Sequence, residues 1–68
     1  MKYVIICVIP PSYKATYFTK WTEQENSFWS TENPKEATKY NSIEEAGKVR
    51  NKLTDVCNDF ARFYVINV

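Results

Sequence analysis

The chain opens and closes with β-forming runs, KYVIICVI at Lys2–Ile9 and FARFYVINV at Phe60–Val68, and both are apolar on two sides. Successive side chains of a strand point to opposite faces. Val4, Ile6 and Val8 therefore oppose Ile5, Cys7 and Ile9, and Phe63 and Val65 oppose Tyr64, Ile66 and Val68. A strand packed on one side alternates apolar with polar residues. Two strands that do not alternate need cover on both sides of their sheet, and this requirement limits the fold more than any other feature.

Helical cover is scarce. The stretch NSIEEAGKVRNKLTDVC carries the clear helical signal. Ser42 suits the N-cap, and Glu45 three residues on can reach back to complete a capping box. Glu44 and Glu45 also match the positive end of the helix dipole. Ile43, Ala46, Val49, Leu53 and Val56 recur at helical spacing as a narrow apolar stripe. Gly47 beside Ala46 would let the helix sit close to a sheet. The helix is expected to end near Asn58. One helix of about sixteen residues is roughly 24 Å long and covers one side of a four-stranded sheet.

Between these elements lie two more strands. Pro10-Pro11 stops the first strand, since proline cannot donate to a ladder. YKATYFTKW, Tyr13–Trp21, follows, and strict alternation sets Tyr13, Ala15, Tyr17, Thr19 and Trp21 against Lys14, Thr16, Phe18 and Lys20. TEQEN reads as a polar hairpin loop and SFWST as the returning strand, ended by Asn33-Pro34. Whether ATKY, from Ala37 to Tyr40, pairs as a strand is left open.

The expected fold is α+β in the order β-β-β-α-β, one domain over residues 1–68, with a four-stranded, mostly antiparallel sheet and one helix packed on one face. If the helix returns the chain, a right-handed crossover sets the last strand beside and parallel to the first, giving the order 3-2-1-4. The far face would then show Val, Ile and aromatic side chains as a patch, and such patches mark interaction sites. Two simpler readings compete. The segment from Ser30 to Tyr40 can fold across that face, with Ala37 and Tyr40 as plugs, or Lys and Tyr stems can shelter it. Otherwise the cover is a second copy or a foreign protein. A face-to-face homodimer is the simplest form, because closed two-fold pairs are the commonest oligomers.

Charge and composition exclude several function classes. A net charge of +1 fits neither a basic nucleic-acid binder nor an acidic mimic, so nucleic acid is not the expected partner. The chain has no His, which removes the usual general base and the commonest metal ligand. Cys7 and Cys57 lie too far apart for zinc-type spacing and have no recognisable base, and they are expected to be reduced thiols in a cytoplasmic protein. Glu44-Glu45 and Glu23 with Glu25 are better read as a helix cap and a solvated loop than as catalytic pairs. No glycine-rich phosphate loop, signal peptide or membrane span is recognisable. Neither enzyme activity, cofactor nor metal is expected.

The chemistry that remains is aromatic. Trp21, Phe28 and Trp29 flank the hairpin loop, with Tyr17, Phe18, Lys14 and Lys20 nearby. Such residues most often hold a hairpin together as cross-strand pairs. They also anchor protein interfaces, where Trp and Tyr are enriched, or stack nucleotide bases. The candidate partner-binding set is Tyr17, Phe18, Trp21, Phe28 and Trp29, with Lys14 and Lys20 as rim charges that tune encounter rate.

The stretch FWSTENPKEATKYNSIEEAGKVRNKL, with Ala37, Tyr40, Ser42, Glu45 and Ala46 leading from an aromatic strand into the helix, resembles small phage-encoded accessory proteins. The resemblance covers about a third of the chain. It implies a short product that blocks a host protein by binding it, in the host cytoplasm, host defence systems being one such target. The alternative is an oligomer that encloses and sequesters a small nucleotide between subunits.

Overall fold

Runs of β-branched and aromatic residues become strands wherever proline or a polar turn does not interrupt them. The structure, a computed structural model, describes residues 2–24, 27–57 and 60–68. Its elements are β1 (Tyr3–Ile9), β2 (Lys14–Thr22), β3 (Ser27–Thr31), a short 3₁₀ turn (Pro34–Glu36), α1 (Ile43–Cys57) and β4 (Arg62–Asn67). Asn33 caps the 3₁₀ turn by accepting from the Lys35 N–H, and Pro34 fills a first-turn position where no donor is needed. The expected loop at Glu25 and Asn26 and the helix end at Asn58 lie outside the described residues.

The fold is α+β: three strands, a helix and a strand, with a four-stranded sheet in the order β3-β2-β1-β4. The helix packs against β1 and β4. The expected order is found, but the direction of the last strand is not. β4 runs antiparallel to β1, with Tyr3 opposite Asn67 and Val8 opposite Arg62.

The reason is the segment 32–41, which carries the chain back along the sheet before the helix begins. Tyr40 forms an isolated antiparallel bridge with Tyr3, exchanging N–H···O bonds of 3.0 and 2.8 Å. Just before it, the Thr38 N–H bonds to the Phe18 carbonyl at 3.2 Å, and the Thr38 hydroxyl donates to the Thr19 carbonyl. β1 and β2 pair only from Ile6↔Tyr17 to Ile9↔Lys14. Thr38–Tyr40 thus occupies the gap where these strands part. The helix then rises alongside β1, and β4 descends.

The helix begins as its cap residues dictate. The Ser42 hydroxyl accepts from the Glu45 N–H at 3.2 Å, while Glu45 Oε2 accepts from the Asn41 N–H at 3.4 Å. The reciprocal bond of the capping box is therefore moved one residue outward. The apolar stripe is also displaced. Ala46, Leu53 and Cys57 are buried and Val49 packs against the core, whereas Ile43 and Val56 are exposed.

Gly47 is not a point of close approach, because a Cβ added there meets nothing within 4 Å. Gly47→Ala is accordingly expected to raise stability by about 1 kcal/mol, the usual propensity difference in a helix. The midpoint of a urea titration measures it. A lowered midpoint would show that the helix does need glycine there.

A β-bulge changes the core composition. The β2–β3 register shifts between Phe18 and Lys20, so that Phe18 faces Ser30, Lys20 faces Trp29 and Trp21 faces Phe28. The extra residue puts Trp21 on the same side as Phe18, contrary to strict alternation. The helix-side core contains Ile5, Cys7, Phe18, Leu53, Cys57, Ala61 and Phe63, with Trp21, Phe28, Tyr40, Val49 and Val65 packed against it. Phe28 links two rings in this core, tilted against Phe18 at 6.5 Å and edge-on to Phe63 at 5.3 Å.

Candidate functional site

The other side of the sheet has no helix. Side-chain alternation and the strand registers assign to it Val4, Ile6 and Val8 of β1, Tyr17 and Lys20 of β2, Trp29 and Thr31 of β3, and Arg62, Tyr64 and Ile66 of β4. One row crosses all four strands: Thr31 opposite Tyr17, Tyr17 opposite Ile6, Ile6 opposite Tyr64. Two tyrosines thus flank the central isoleucine. Trp29 pairs with Lys20 on the neighbouring strand, and the Lys20 ammonium lies 5.7 Å from the indole centroid.

This face is partly closed by its own chain. Val4 is buried, as is Ala37 where the return segment enters the gap. Of the two residues expected as plugs, Ala37 is buried and Tyr40 packs against the helix-side core instead of the open face. Beyond that end the face remains open. Ile6, Val8, Tyr17 and Ile66 are half-buried, and Trp29 and Tyr64 are 52% and 50% exposed.

The hairpin residues singled out by sequence divide between the two sides. Phe18, 4% exposed, is sealed in the core, and Trp21 and Phe28 pack against it. These three hold the domain together and offer no surface for a partner comparable to Trp29. Lys14 forms an ion pair with Glu32. Its position opposite Ile9 puts it on the helix side of the sheet. Tyr17, Lys20 and Trp29 lie on the open face. Sequence reasoning missed Ile6, Val8, Arg62, Tyr64 and Ile66 as their companions. Residue parity along β1 and β4 was a sufficient signal once those strands were taken as neighbours.

The face is electrically one-sided. Its strand positions carry Lys20 and Arg62 and no carboxylate. Among the described residues the one ion pair is Lys14–Glu32.

The thiols belong to the core. Cys7 and Cys57 are free and buried in the same cluster. Burial, and secondly the charge Cys57 would carry, pushes the Cys7 thiol up to about 12 from an ordinary 9.0, and burial also raises Cys57. Both are inert at neutral pH, because the thiolate is the reactive form. The raised pKa means that the folded state holds protons which the unfolded chain releases above about pH 9. Stability is then full below pH 9 and falls as pH rises toward 12. Chemical melts at pH 7, 9 and 10.5 should show the midpoint dropping in the last interval. Cys7→Ala should flatten that drop; an equally steep drop without Cys7 would remove the thiol as its cause.

Among the described residues no group of three or more His, Cys, Asp or Glu side chains is arranged to hold a metal ion. No helix among them is long and apolar enough to cross a membrane. Comparison with protein-family models, curated proteins and solved structures finds no match for this chain.

Proposed function

We propose that this chain is a non-enzymatic protein-binding module that acts by laying its open sheet face on a foreign protein and occluding it. The observation that carries the reading is the row Tyr17–Ile6–Tyr64 with Trp29 beside it, an aromatic and aliphatic surface left uncovered by the single helix. Aromatic residues of this type, ringed by charge, anchor protein interfaces. A small phage-encoded accessory protein that blocks a host protein, a defence component among the candidates, is the biological form this reading takes, and the host cytoplasm is where it acts.

Charge favours a foreign partner over a second copy. A twofold face-to-face pair offers Lys20 and Arg62 only another Lys20 and Arg62. A foreign surface with carboxylates around an apolar centre complements both. Four strands about 4.8 Å apart and some 20 Å long present roughly 400 Å². A standard interface takes about 800 Å² from each partner, so the complex must also use the rim, where Tyr13 is exposed.

The test is affinity capture from host lysate beside a mass measurement of the purified chain. Capture of a protein by the native chain that is lost with Tyr64→Ala and kept with the helix-surface change Lys48→Ala supports the reading. Capture equally strong with Tyr64→Ala argues against it. A stable dimer that buries the face would replace the foreign partner with a second copy.

A further inference from the structure

At the outer edge of the sheet, where the open face ends at β4, two arginines line one cleft. A cleft of about 120 Å³ lies between α1 and β4 and is lined by Arg50, Thr54, Ala61, Arg62, Phe63 and Tyr64. Arg50 comes from the helix side of the sheet and Arg62 from the open-face side, so the cleft draws its two cations from either side of the edge strand. Arg50 is held in place, its Nε donating to the Phe63 carbonyl at 3.0 Å and its Nη1 to Asn51 Oδ1 at 3.0 Å. Among the described residues, those bonds leave its Nη2 without an acceptor. Neither arginine is in an ion pair among the described residues.

The backbone adds a donor. Val68 N–H bonds to the Lys2 carbonyl at 2.9 Å, which makes every second residue of β4 a hydrogen-bonded partner of β1. Phe63 falls between those positions, so its N–H and carbonyl point to the outer edge, and the bond from Arg50 shows that the carbonyl does. The Phe63 N–H faces the same way. Thr54 contributes no donor, because its hydroxyl already donates to the Arg50 carbonyl at 2.9 Å.

We propose that this cleft binds the phosphoryl group of a phosphate monoester, through the guanidiniums of Arg50 and Arg62 and the Phe63 N–H. Planar guanidinium forks match phosphate oxygens in pairs, and their charge strengthens each hydrogen bond. Two cations without an ion pair among the described residues match a dianion, whereas a carboxylate needs only one fork. Tyr64, lining the same cleft, sets an aromatic ring beside the ester substituent.

The experiment is an amide and arginine-Nε NMR titration of the full chain with inorganic phosphate at fixed ionic strength. Saturable shifts centred on Phe63, Arg50 and Arg62, with a Kd of the order of 1 mM, are expected. Arg62→Gln should weaken binding at least tenfold, and Lys35→Gln, an equal charge change at the 3₁₀ turn, less than twofold. If the Arg62→Gln spectrum shows a changed fold, Arg62→Lys asks the same question: it keeps the charge, loses the fork, and should weaken binding several-fold.

O-phosphoserine and adenosine monophosphate separate the sources, the tighter of the two naming the natural ester. Non-saturating shifts with all three probes, acetate binding as tightly as phosphate, or unchanged affinity in the Arg62 variants would each overturn the proposal. Trp29→Ala leaves the cleft intact and should not alter the titration, so failure here is separate from failure of the protein-binding reading.

Discussion

Phe63→Ala is expected to leave about half or more of the chain unfolded at 25 °C. Phe63 is 2% exposed and is among the largest fully buried side chains of the core. Its ring meets Phe28 edge-on, and Phe28 in turn meets Phe18, so removing it opens a void where rings from β2, β3 and β4 come together. Truncating a buried phenylalanine costs about 3–5 kcal/mol. A domain this small, with both cysteines free, rarely has more than about 3–5 kcal/mol in total. The two ranges coincide, so the folded state keeps little or no net stability. Far-UV circular dichroism and a urea melt measure the outcome. The neighbouring Tyr64→Ala is the control: its side chain is half exposed on the other face, and its removal should cost about 1 kcal/mol or less. If Phe63→Ala keeps a cooperative melt only a few degrees below the native chain, the core is not where the rings place it.

The same residues show what the sequence could and could not reveal. Strand ends were legible because proline sets them chemically: Pro10-Pro11 after β1 and Pro34 after β3 remove ladder donors. The helix start was legible because Ser42 and Glu45 act within one turn of each other. The bulge beside Thr19 was not. Nothing local in YFTKW marks it; it forms because it lets Phe18 and Trp21 share one core, a benefit that exists only once helix and sheet have met. The direction of β4 was hidden for a related reason. The backbone bonds of Thr38 and Tyr40 depend on a gap between β1 and β2 that the bulge accompanies. Cys57 in place of Val56 on the buried stripe likewise follows from how the helix lies over Ala61 and Phe63, not from its own periodicity. Three of the five aromatic site residues, Phe18, Trp21 and Phe28, belong to the core, and for Trp21 the inserted residue is the reason, since it exchanges the face of what lies beyond it.

Trp29→Ala is expected to separate folding from binding. Trp29 pairs across the strands with Lys20 and lies under its ammonium, but it takes no part in the helix-side core. A cation–π contact at an exposed site contributes about 0.5–1 kcal/mol, so the variant should stay folded with a modestly lowered melting temperature. Its ring is the largest exposed side chain on the open face, 52% accessible in the isolated chain. An indole that fills a partner's pocket at the centre of an interface is worth about 2 kcal/mol or more on truncation, close to a thirtyfold loss of affinity. Calorimetric titration against the captured partner gives the number. Lys20→Ala provides the comparison: a rim cation changes the association rate and its salt dependence more than the final affinity. A Trp29→Ala chain that binds as tightly as the native one, with the same near-native melt, would place the contact elsewhere on the molecule. A chain that binds thirtyfold more weakly while remaining folded would tie the uncovered face to recognition, because Trp29 is removed there without disturbing Phe18, Trp21, Phe28 or Phe63.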